Sequence, residues 1–241
     1  MLRVNWAYIK ILVLFGMVAF LFAFATSKNS NRKITEPDIR FVGNSDNLFI
    51  TYETVSKLLI QNQGKVKNVP KEILDLNQLE SALNSNPMIK SAEVYVSVDG
   101  TLNAEIEQKR PIARVSTNAS YYIDDKGAYM PLSSNYTARV PLVTGYVEKN
   151  NLNNVFVVAR KIQNDDFLIK NVIEIHQDIN KKIYLKLRQC KFLVQLGDVK
   201  LLDKKINNLK AFYQKSLKEN TLNNFSKVNL QYDNQVICTK M

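Results

Sequence analysis

The sequence predicts an α+β protein with three parts. They are an N-terminal transmembrane helix, a small β-α-α-β-β domain, and a mixed β domain with two packed helices. Three observations carry this. Trp6 to Ala25 is a twenty-residue apolar run broken by a single charge, Lys10. Between Ile39 and Glu107 the hydrophobic period changes from two to 3.6 and back to two. Beyond that, short alternating strands recur with two stretches of helical spacing among them.

The apolar run, as a helix of about 1.5 Å per residue, spans roughly 30 Å, the hydrocarbon thickness of a bilayer. Trp6 and Tyr8 stand where interfacial aromatics belong, and the Lys10 stem can carry its ammonium out to the headgroups. Ala23-Phe24-Ala25 also matches a small-x-small cleavage site, so a cleaved signal peptide is the rival reading. The length of the run favours a retained anchor over residues 6–26, after a short cytoplasmic tail, 1–5. Lys28, Arg32 and Lys33 follow the span as Arg3 and Lys10 precede it, so charge does not orient it. The short tail places the bulk of the chain outside the cytoplasm.

A polar linker, 27–33, leads to the first domain, 34–112. Ile39 to Val42 alternate as a strand closed by Gly43-Asn44. Thr51 caps a helix whose staple is Ile50 with Val55 and whose buried stripe is Val55, Leu58 and Leu59. A second helix is expected from Asn77 with Glu80 in a capping box, an apolar face of Leu79, Ala82 and Leu83, and an end at Asn86-Pro87. Two alternating runs then flank Asp99-Gly100. A three-residue loop with Gly100 left-handed pairs Val96 with Leu102, Val94 with Ala104 and Ala92 with Ile106, which gathers one apolar face. It also sets Glu93 across from Glu105. Glu105 and Glu107 read as a solvated sheet face rather than an acid–base pair.

The second domain, 113–241, has strands expected at Tyr121–Ile123, Tyr129–Leu132, Val172–His176, Ile183–Leu187 and Phe192–Leu196, with Asp124-Asp125-Lys126-Gly127 as a turn. Helices are expected at Leu152–Ile162 and Leu201–Leu217. A terminal hairpin runs from Val228–Tyr232 through Asp233-Asn234 to Gln235–Thr239. A two-residue turn sets Leu230 opposite Ile237 and Tyr232 opposite Gln235. If the last strand borders the sheet, its bare main chain is a template for a strand of another chain; the plain alternative is an edge blunted by Lys240 and left in solvent.

Composition narrows the function classes. Seven glycines, none closer than Gly127 and Gly145, exclude a P-loop or a GxGxxG turn. One histidine, His176, and two distant cysteines, Cys190 and Cys238, remove the usual material of metal sites, triads and CxxC redox chemistry. Both cysteines read as free and buried, and His176 as structural. No catalytic residue, metal site or cofactor is expected. The net charge of +11 comes from 25 scattered lysines against 8 arginines, which suits a solvated surface better than a nucleic-acid interface.

Several segments resemble the bacterial division family FtsQ/DivIB. Lys109-Arg110-Pro111-Ile112-Ala113-Arg114-Val115 is similar to its RPxARV junction and Tyr122-Ile123-Asp124-Asp125-Lys126-Gly127 to its YIDxxG turn. Val140-Pro141-Leu142-Val143-Thr144-Gly145 is similar to its LPLxxG segment. Val194-Gln195-Leu196-Gly197 and Val228-Asn229-Leu230-Gln231-Tyr232-Asp233 follow in the family's order. The resemblance implies a POTRA-like first domain and a non-catalytic, single-pass inner-membrane scaffold at the division septum. It implies partners of the FtsB and FtsL type that add a strand beside the last strands. On it, the partner-binding residues are Tyr232, Gln235, Val236, Ile237, Cys238 and Thr239, with Trp6, Tyr8 and Lys10 as membrane anchor. The family's frequent basic residue before the tyrosine is Gln231 here. The alternative is a secreted or cell-surface binding module released by signal cleavage; against an outer-membrane assembly protein, which also uses POTRA domains, this sequence lacks the many further strands a barrel needs.

Overall fold

The computed structural model describes residues 6–30, 37–43, 49–63, 74–233 and 235–241. The chain divides into two units, Met1–Gln108 and Lys109–Met241, and each is described by itself. Pro111 and Ile112, read above with the first domain, lie in a strand of the second unit. Expectations for Arg3, Arg32, Lys33 and Asn44, and for Asn234 in the terminal turn, fall outside the described residues.

The apolar run is helix α1, Trp6–Ser30, long and apolar enough over Tyr8–Lys28 to cross a membrane. Its helical backbone continues to Ser30, past Ser27 where the linker was expected to begin.

The first unit then follows the expected order: β1 (Asp38–Val42), α2 (Tyr52–Gln63), α3 (Leu76–Asn84), β2 (Ile89–Val96) and β3 (Leu102–Gln108). The sheet order is β1-β3-β2, with β1 parallel and β2 antiparallel to β3. Thr51 Oγ1 accepts the Thr54 N–H at 3.3 Å, and Gln108 Oε1 accepts from Phe49 and Ile50, tying the start of α2 to the end of β3. Asp75, not Asn77, caps α3: its carboxylate accepts the Gln78 N–H at 3.0 Å, because half-buried Leu76 already belongs to the helix. Glu80 therefore makes no capping box and instead accepts the Val94 N–H.

The β2–β3 register is the one that buries a single face, with Val96 opposite Leu102, Val94 opposite Ala104 and Ala92 opposite Ile106. Gly100 takes φ 93°, and Ser97 N–H closes the loop onto Thr101 C=O at 2.9 Å. Buried Ile50, Val55, Leu59, Leu79 and Leu83 cover that face. Glu93 does stand opposite Glu105. The crowding is offset because β1 sets Arg40 on the other side of Glu105, and the Tyr95 hydroxyl donates to its carboxylate at 2.9 Å.

The second unit is one nine-stranded mixed sheet. Its strands are β4 (Pro111–Ser116), β5 (Ser120–Asp124), β6 (Tyr129–Met130), β7 (Leu142–Gly145), β8 (Val172–Gln177), β9 (Ile183–Leu187), β10 (Leu193–Gly197), β11 (Phe225–Asn229) and β12 (Ile237–Lys240). They lie in the order β12-β11-β10-β9-β8-β7-β4-β5-β6. Helices α4 (Asn153–Gln163), α5 (Asp166–Asn171) and α6 (Leu202–Lys218) pack on it. One cross-strand row explains the core: Val115, Val143, Ile175, Leu185, Val194 and Val228 stand side by side, each wholly buried, and Cys238 of β12 continues the row. The turn after β5 is built on buried Asp124, which accepts N–H groups from Lys126 and Ala128 and pairs with Lys109 at 3.2 Å.

Helix α5 was not foreseen. Its cap is Asp165, which accepts from Phe167 and Leu168 at 3.1 Å each and meets Lys210 of α6 at 2.5 Å. Burial disfavours the Asp165 charge, but the Lys210 ammonium and the two N–H donors outweigh it, so its pKa lies below the usual carboxylate value. A depressed carboxylate stabilises the fold above its unfolded pKa and loses that contribution as pH falls through the folded one. The melting-temperature gap between the unaltered chain and Asp165→Asn should be open at pH about 6 and narrow steadily as pH falls below about 4. A gap independent of pH would remove the Lys210 contact as its source.

Candidate partner-binding edge

Leu230 N–H donates to Gln195 C=O across the parallel β10–β11 pair at 2.9 Å. Residues two apart in a strand turn their main chain the same way. Val228 therefore faces β10 like Leu230, and Lys227 and Asn229 face β12. Their partners Thr239 and Ile237 face back, and Met241 N–H, on the same side, reaches Asn224 C=O at 3.1 Å. Cys238, opposite Val228, must then turn its N–H and C=O away from β11. Among the described residues β12 has a strand neighbour on one side only, so this is the unpaired side of the sheet.

The side chains follow the same alternation. Cys238 is half-buried against the core, as is Val236 ahead of the strand, whereas Ile237 and Thr239 are exposed. Ile237 keeps 42% of its surface in solvent and Tyr232 50%. Gln235 is exposed. Burial lifts the Cys238 thiol pKa above its ordinary value and pushes Cys190 up to about 11. Both cysteines are free, and both are half-buried rather than buried. The six residues named from the sequence thus fall into a strand segment, Ile237 to Thr239, and a preceding loop that carries Tyr232, Gln235 and Val236. Trp6, Tyr8 and Lys10 belong to the first unit and are exposed in the first two turns of α1.

The expected hairpin register is corrected. Ile237 stands opposite Asn229, not Leu230, and Tyr232 and Gln235 are not paired. Asn229 ends its strand because its side-chain oxygen accepts the Gln231 N–H at 3.0 Å, an Asx turn. Leu230 is wholly buried, and its N–H is held to β10. Gln231, unremarked as a structural residue, packs over Gly197, whose φ of +72° and missing Cβ leave room for it. The asparagine two residues before Gln231 was the sequence signal for this turn.

His176 shares a 2.9 Å contact through Nδ1 with Thr144 Oγ1, which donates its own proton to Glu174 at 2.7 Å. The Nδ1 atom therefore carries the hydrogen, and the ring ties β8 to β7.

Comparison with known proteins gives these features a family. The model described as FtsQ/DivIB, C-terminal related, matches residues 110–239, and that of the POTRA-like domain matches residues 33–107. The cell division protein FtsQ of Geotalea daltonii is 24% identical over 180 residues, covering 70% of this chain and 64% of that protein. The cell division protein FtsQ of Geobacter sp. is 25% identical over 137 residues, 52% of this chain and 50% of that protein. The chain therefore matches less than two thirds of either relative's length. With a POTRA-like domain followed by the FtsQ/DivIB sheet over more than half its residues, the chain belongs to the FtsQ/DivIB family of cell division proteins.

Proposed function

We propose that this protein is a non-catalytic scaffold of the bacterial division complex, and that β12 captures a partner strand by main-chain pairing. The observation that carries the reading is the orientation of Cys238, whose N–H and C=O point off the end of the sheet. An added strand would set one side chain beside Cys238, extending the apolar row, and its neighbours beside exposed Ile237 and Thr239. Tyr232 is the aromatic anchor, and Gln235 and Val236 border it. Partners are division proteins of the FtsB and FtsL type. Helix α1 is a retained inner-membrane anchor seated by Trp6, Tyr8 and Lys10. The rest of the chain is extracytoplasmic and gathers at the septum.

A photoreactive amino acid at position 232, irradiated in dividing cells, should give one abundant adduct with such a partner by mass spectrometry. Adducts with lipid alone, or none, would count against the reading. Tyr232→Ala should weaken the partner complex about tenfold or more with an unchanged melting temperature. Unchanged affinity would remove Tyr232 from the contact.

A further inference from the structure

The first sheet also has a bare-looking margin, the outer side of β2. Ser97 N–H bonds to Thr101 across the hairpin, so the odd-numbered residues of β2 turn their main chain to β3 and the even-numbered ones turn it outward. On that outward side Asn84, the last residue of α3, uses both ends of its carboxamide on one residue. Its Oδ1 accepts the Ala92 N–H at 2.8 Å, and its Nδ2 donates to the Ala92 C=O at 3.3 Å. One turn earlier on the same helix, Glu80 accepts the Val94 N–H at 3.3 Å. The Asn84 amide offers Ala92 one donor and one acceptor, as a neighbouring strand would.

We infer that Asn84 and Glu80 form a side-chain plug that closes the edge of β2, and that without it β2 pairs edge to edge with a second copy of this chain. The eight residues of β2 make the edge twice the length of the four-residue β12. A long alternating strand with unpaired main chain is the kind of edge that self-associates unless something covers it. Antiparallel pairing of two such edges would bring the exposed Glu93 side chains, near the middle of β2, close together. This inference is independent of the β12 reading.

The test uses the full chain in detergent, with Glu93→Cys as the reporter. In the Asn84→Ala/Glu80→Ala background, disulfide-linked dimer should form about tenfold faster than with Glu93→Cys alone, at equal protein concentration. Amide exchange at Ala92 and Val94 should rise roughly five- to tenfold while β3 keeps its protection. Equal dimer formation in the two backgrounds, or unchanged exchange at Ala92 and Val94, would overturn the plug. Should β3 also lose protection, Asn84→Asp/Glu80→Gln, which keeps acceptors and removes the Asn84 donor, replaces it. Intermediate crosslinking supports the inference and crosslinking equal to the plugged chain overturns it.

Discussion

Cys238→Pro should release the partner while the β domain stays folded. The Cys238 N–H points away from β11, so proline there spares the hairpin ladder, and edge strands tolerate proline where the N–H faces outward. A docked strand would lose that donor and leave its own carbonyl unpaired, a loss of about 1–3 kcal/mol, or roughly five- to a hundredfold in Kd. Cys238→Ala keeps the N–H and should bind close to normally. Ile237→Pro works differently, because the Ile237 main chain faces Asn229, and it should damage the hairpin itself. Titration calorimetry with the purified partner separates the three. Retention of the partner by a folded Cys238→Pro chain would mean that β12 does not use this main chain.

Leu230→Ala should be the most destabilising single change at the terminal hairpin. The side chain is wholly buried in the core of the second unit, at the point where the chain leaves β11. Large-to-small changes at such sites cost about 3 kcal/mol, which for a domain of this size lowers Tm by roughly 10 °C. Differential scanning calorimetry checks it. A shift below about 2 °C would show that Leu230 does not anchor the segment.

Legibility in the sequence depended on how local the deciding contact was. The β2–β3 register could be read because Gly100 and strict alternation left one solution that buried a clean face. The β11–β12 register could not. Val228 to Tyr232 look like one strand, yet the Asx turn at Asn229 stops it, and Leu230 goes to β10 through a contact 35 positions away. Strands β4 and β7 were seen as sequence signatures rather than strands. β7 has only four residues and acquires its place by lying parallel between β4 and β8. That β12 borders the sheet was equally out of reach, since no local pattern reveals the order of nine strands. The sequence places the last strand at Gln235–Thr239 where β12 spans Ile237–Lys240, and the direction of each main-chain group required the register.

Amide exchange of the full chain, free and bound to the proposed FtsB/FtsL-type partner, decides whether β12 captures a strand. The Cys238 N–H should exchange rapidly in the free protein and become strongly protected in the complex, while protection of the β11 ladder changes little. A complex of unchanged affinity in which Cys238 exchanges as fast as in the free chain would contradict it.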